Sequence, residues 1–113
     1  MADIIPLAVT SIKIVEPELN ITLQDAARHF EAFMTDRNLL DQLNESRNCV
    51  ADVVGVLKLL QIPGALQLAQ EMLAMLDAII AQPLKAADFA LSALSQAFVA
   101  MPCYIEYIVD REQ

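Results

Sequence analysis

Apolar residues recur at three- and four-residue steps through most of this chain, and the repeat breaks only at prolines or at a short polar cluster. A chain patterned this way hides its apolar stripes by packing helices against one another. The first helix is expected to open at Pro17, since a first helical position needs no backbone donor, with Glu16 and Glu18 suiting the positive end of its dipole. Leu19, Leu23, Ala26, Ala27, Phe30 and Phe33 then share one face, Asp25, Arg28, Glu31 and Ala32 point away, and the helix should fail near Thr35 and Asp36. A second helix is expected over 38–61, with Asp36 as candidate N-cap and Leu39, Leu43, Val50, Val53, Val54, Leu57 and Leu60 in phase. Pro63-Gly64 ends it, and a third helix runs over 65–82 with Leu66, Ala69, Met72, Leu73, Leu76, Ile79 and Ile80 on its apolar side. Pro83 marks the next break. The fourth helix starts near Leu84 and carries Phe89, Leu91, Leu94, Phe98 and Met101, before Pro102 forces a kink or restart. Tyr104, Ile105, Ile108 and Val109 continue its pattern.

Residues 1–15 show no such period and read as an extended leader around Pro6, Ile12 and Ile14. The remainder, 16–113, is expected to be one domain. Hydrophobic residues make up 57% of the 113 residues, aromatics only 5%, and there are two glycines. A core of Leu, Ile, Val, Ala and Met with so few turn glycines favours helix packing over a sheet. Short connections place successive helices as antiparallel neighbours, so the expected fold is all-α, an up-down-up-down four-helix bundle. The last helix runs to the end of the chain, which suggests a segment of a longer protein, with a natural terminus as the alternative.

The formal charge is −8 and the pI about 4.3, a balance that repels phosphate backbones and anionic lipid. Nucleic acid and membrane insertion are therefore not expected. The most apolar run, Met72 to Ala81, is interrupted by Asp77 and is short of the ~20 residues a bilayer requires. With no basic, apolar signal-type N-terminus, the expected location is the cytoplasm. Cys49 and Cys103 lack zinc-type or CxxC spacing and read as reduced, buried hydrophobes.

Helical geometry at about 100° per residue separates two sides of the second helix. Val50, Val53, Leu57 and Leu60 form its buried stripe, while Ala51, Gly55, Lys58, Leu59 and Ile62 fall together on another side. These are mostly small or apolar residues on a face predicted to be open, and a mid-helix Gly costs about 1 kcal/mol against Ala. Either the fourth helix or the leader covers that face, or a partner docks there; Asp52 and Val54 lie at its margin. His29, the one histidine, reads as an ordinary boundary residue near Asp25 and Phe33. No Cys-His or Asp-His spacing, ExxH pair, phosphate loop or nucleophile elbow accompanies it, so no catalytic residue, metal or cofactor is expected. The fifteen carboxylates read as solvated helix surface, and the methionines as core gap-fillers. The long apolar third helix leaves a homodimer open.

The stretch from Cys49 to Leu60 resembles the active helix of histidine phosphotransfer (HPt) domains. Those domains present His, a basic or polar residue three positions on, and Gly at four. Here Gly55 is in place, but the His position is Ala51 and the basic position Val54. The chain is most similar to the FimL/ChpA branch, the CheA-like chemosensory family of type IV pili. Within 16–110, His29-Phe-Glu-Ala-Phe matches the end of a helix, Gly64-Ala-Leu-Gln-Leu-Ala-Gln-Glu-Met the start of the third, and Met101-Pro-Cys-Tyr-Ile-Glu a segment of the fourth.

The resemblance implies an HPt-like fold that has kept its docking shape without its imidazole. Such a domain would be a scaffold in twitching motility and the cyclic-AMP signalling coupled to it, docking a CheY-like receiver or a pilus-assembly protein. Ala51, Gly55, Lys58, Leu59 and Ile62 would be its contacts, with Lys58 facing an acidic rim. Two alternatives stay open: a self-associating bundle with no signalling partner, and an active phosphotransfer protein using His29.

Overall fold

The computed structural model describes residues 4–85 and 87–111 and is all-helical, with no strand among them. Helix α1 spans Ile4–Thr35, α2 Leu40–Leu60, α3 Pro63–Ala81 and α4 Asp88–Arg111, with a single 3-10 turn at Pro83–Lys85 before α4. Helix α1 packs on α2 and α4, and α3 packs on the same two, so α2 and α4 lie across the core from each other.

The largest departure from the sequence reading is in α1. The stretch expected as an extended leader is helical from Ile4 onward, and Pro17 lies inside the helix rather than opening it; residues 1–3 lie outside the described residues. An interior proline removes a backbone hydrogen bond and costs about 3 kcal/mol. The opposing force is visible in the core spacing. Ile12, Leu19, Ala26 and Phe33 are all buried at seven-residue steps, with Leu23 and Phe30 between them, so the stripe passes straight through Pro17. Burying Ile12 and half-burying Val15 offsets the proline at about 1.5–3 kcal/mol per fully buried side chain.

Other boundaries shift for local reasons. Asp36 does not cap α2: its Oδ1 accepts the Asn38 N–H at 3.0 Å, forming a turn, and Leu39 precedes the helix without a side-chain cap. Arg37, in that turn, lies 5.7 Å over the Phe33 ring and reaches Asp88 at 3.3 Å, linking the α1–α2 connection to the start of α4. Helix α3 begins at Pro63, two residues early, with its proline at a tolerated first position. Helix α4 begins at Asp88, later than expected, and runs through Pro102 without a restart.

The core is centred on Phe30, whose ring lies 5.5 Å from Phe98 and 6.5 Å from Phe33, with Leu43, Leu57, Met72, Leu76, Leu94 and Met101 around it. Ser46 is the buried polar residue of this core; its hydroxyl donates to the Ala26 carbonyl at 2.8 Å and ties α2 to α1. Further ties join late residues of one helix to early residues of another. His29 meets Gln42 at 2.7 Å, Arg47 meets Asp77 at 2.9 Å, and Ser95 donates to the Met34 sulfur at 3.2 Å.

Not all apolar residues read as core are buried. Leu60, Leu66, Leu73 and Ile80 are half-buried, while Phe89 is 79% exposed and Tyr104 lies on the surface. Both cysteines are free, but Cys49 is half-buried and Cys103 exposed, so Cys103 does not behave as the expected core residue. Helices α3 and α4, taken whole, are long and apolar enough to cross a membrane, which the short run Met72–Ala81 does not suggest. In this bundle each instead contributes a buried stripe, Ala65 to Ile79 in α3 and Leu91 to Val109 in α4.

Candidate partner-docking face

The outer side of α2 lies between its contacts with α1 and α3, and none of the described helices covers it. Its buried stripe is Leu43, Ser46, Val50, Val53 and Leu57. On the opposite side, Asn44, Asn48, Asp52, Gly55, Lys58 and Leu59 are exposed. The first half of that side is therefore polar, while the second half sets small Gly55 and apolar Leu59 beside Lys58. Leu59 is 84% exposed, the most open of the large hydrophobic residues.

Gly55 sits in that second half. A Cβ built on it would meet nothing within 4 Å, so nothing inside the bundle requires a glycine there. Its backbone is ordinary helix, because Gln61 is the position with positive φ among the described residues. Ala51 is half-buried on the α3 side of the same face, and Lys58 is exposed beside it. Four of the five expected contact positions thus share one side of α2, three in the open and Ala51 at its edge, while Ile62 follows the helix and packs against the core. Val54 is turned further in than expected and packs against the core. Asp52 is exposed on the α1 side, at the mouth of a cavity of about 120 Å³ lined also by Val15, Glu18, Thr22 and Val56.

The lower edge of the face is set by how α2 ends. Gln61 adopts a left-handed conformation (φ 57°, ψ 53°), and its N–H bonds to the Lys58 carbonyl at 3.2 Å. The Ile62 N–H reaches back to the Leu57 carbonyl at 3.2 Å. This is a Schellman turn, a motif that normally places glycine at the left-handed position. It directs Ile62 back toward the core and leaves Pro63 to open α3.

His29 is half-buried on α1, with Nδ1 2.7 Å from Gln42 Oε1. Gln42 precedes Ala51 by nine residues, about 13 Å along the helix axis. The histidine thus lies well away from the position where the resemblance would put a phosphoacceptor. Among the described residues no three His, Cys, Asp or Glu side chains converge as a metal site would require. Burial pushes the Cys49 thiol pKa up, helped by the carboxylates of Asp25, Asp52 and Glu45 and opposed by Arg28. Cys49 is therefore a poor nucleophile.

Sequence reasoning missed two features. Ser46 gave no signal, because a serine in phase with a leucine stripe looks like an interruption. The outer side of α4 was masked by its own apolar character, which placed Phe89 in the core.

The chain matches no protein-family model and no solved structure. It is similar to the scaffold protein FimL of Pseudomonas aeruginosa, at 30% identity over 104 residues. The alignment takes in 92% of this chain and 18% of the relative, so the chain spans less than a fifth of the length of the curated protein it matches.

Proposed function

We propose that this chain is a catalytically inert, HPt-like interaction module of a cytoplasmic scaffold, and that it docks a CheY-like receiver through the outer face of α2. The observation that carries the reading is Gly55: a mid-helix glycine on an open face, with no internal neighbour to explain it. Glycine there lets a partner's backbone come close, and Leu59 supplies an apolar anchor beside it. Lys58 would meet the acidic rim of a receiver's phosphorylation pocket. The fold of this reading is an antiparallel up-down-up-down bundle. Its supports are the two-residue link between α2 and α3 and the pairs that join late residues of one helix to early residues of another, such as Arg47 with Asp77.

Phosphotransfer requires an imidazole nitrogen as nucleophile, and the methyl group of Ala51 offers none. The similarity to a protein named as a scaffold supports assembly rather than catalysis; the proposal of a role in twitching motility and its cyclic-AMP signalling rests on the resemblance of the motifs to the type IV pilus chemosensory branch. The test is calorimetric titration of the chain with type IV pilus receivers of the CheY type. Gly55→Arg and Leu59→Asp should abolish binding while the helical circular-dichroism signal stays unchanged. Unaltered affinity in both variants would remove the face assigned here. Transfer of labelled phosphate from a receiver to His29 would overturn the inert reading itself.

A further inference from the structure

The outer side of α4 carries a second surface, independent of the docking face. Phe89, Ala93, Gln96, Ala100, Cys103 and Tyr107 are all exposed and follow one another at steps of four, three, four, three and four. That is the alternation of a coiled-coil seam, here facing away from the bundle. No charged residue occurs between Phe89 and Ile105, although the chain as a whole carries −8. Every other helix has charge along its exposed side, Lys13, Arg28 and Glu31 on α1, Asp41, Glu45 and Asp52 on α2, Glu71 and Asp77 on α3, whereas α4 confines its exposed charge to its ends, at Asp88 and at Glu106, Asp110 and Arg111. Two acidic copies therefore meet the least repulsion along α4.

We propose that two copies of this chain associate along this seam, with their α4 helices antiparallel. The seam complements itself in that orientation. Phe89 of each copy meets Tyr107 of the other, Ala93 meets Cys103, and Gln96 meets Ala100, so rings overlap at both ends while small residues let the helices approach in the middle. Gln96 opposite Ala100 can extend its amide to solvent, whereas a parallel pair would place two glutamines in one layer. Parallel packing would also set the two C-terminal ends side by side, each with Glu106, Asp110 and the negative pole of its helix. Phe89 and Tyr107 are 79% and 55% exposed, and Val99, which flanks the seam, is 72% exposed. The exposed share of four rings of roughly 150–250 Å² each, with the seam's small residues, Val99 and Tyr104, brings the contact to about the 1,000 Å² that a specific interface needs. Because α2 lies across the core from α4, this dimer turns its two α2 faces outward and makes the module bivalent.

Sedimentation equilibrium of the 113-residue chain should give twice its 12.4 kDa, and Ala100→Arg should return the mass to that of one chain with unchanged helicity. Ala93→Cys then tests the orientation. Mild oxidation should cross-link it to Cys103 of the second copy, a bond the two positions cannot form within one chain, where they lie about 15 Å apart. A single-chain mass across a dilution series would overturn the proposal, as would a dimer indifferent to Ala100→Arg. Cross-linking of the wild type through Cys103 alone would mark a parallel pair and overturn the orientation. Flotation of the chain with phosphatidylcholine vesicles, abolished by Ala100→Arg, would assign the face to a membrane instead.

Discussion

Replacing Gly55 by alanine adds one methyl group to the middle of α2 at a point where the structure leaves open space, with no atom beyond its chain neighbours and the local helix backbone within 4 Å of the new carbon. The change brings neither a clash nor a new packing contact, so only the backbone contribution remains. Alanine is favoured over glycine in a helix interior by about 1 kcal/mol, chiefly because glycine loses more conformational freedom on folding. For a chain of 113 residues, that corresponds to a rise in Tm of about 4 °C. Urea unfolding followed by circular dichroism should show the midpoint raised and the slope unchanged. A destabilised Gly55→Ala variant would refute the reasoning, because it would mean that something already covers this face. The same logic protects the binding test. Arginine is nearly as good a helix former as alanine, so a loss of binding in Gly55→Arg would report on the surface and not on folding.

Four further outcomes follow from the packing. Gln61→Gly should stabilise the chain by about 1 kcal/mol in the same urea assay, since the left-handed C-cap is a conformation only glycine adopts without strain. Ser46→Ala should cost about 1 kcal/mol by losing the 2.8 Å bond to the Ala26 carbonyl. Phe30→Ala, at the centre of the core, should cost about 3–5 kcal/mol and leave the chain partly unfolded by circular dichroism. Cys49, half-buried with a raised pKa, should be alkylated more slowly than exposed Cys103, and the difference should vanish in denaturant. A thiol pKa raised by folding contributes stability below its unfolded value and loses it as pH rises through the folded one. Stability should therefore decline in the alkaline range, and Cys49→Ala should flatten that decline.

Much of the fold was legible because burial and helical period coincide. Leu19, Leu23, Phe30 and Phe33 in α1, and Val50, Val53 and Leu57 in α2, are buried where the spacing puts them. Sequence reasoning failed where punctuation and period disagreed. Pro17 looked like a helix start, yet the seven-residue spacing from Ile12 to Leu19 carried the helix through it. Asp36 looked like a cap and instead closes its own turn onto Asn38. Phe89 was misplaced for another reason: in a helix this apolar, hydrophobicity alone does not say which side faces in, and the neighbours of α4 decide it. The face proposed for docking was readable as an open surface because a glycine and an exposed leucine stand out on a helix whose buried stripe is unambiguous. Its partner was not, since no contact within the chain records who approaches from outside.

The central claim is that the outer side of α2 is a docking surface that has lost its chemistry. The most direct measurement follows the backbone amide signals of the isotope-labelled chain by nuclear magnetic resonance as an unlabelled CheY-like receiver is added. The shifted signals should cluster on Ala51, Gly55, Lys58, Leu59 and Ile62, with α4 undisturbed. Shifts confined to other helices, or none at any receiver concentration, would contradict it.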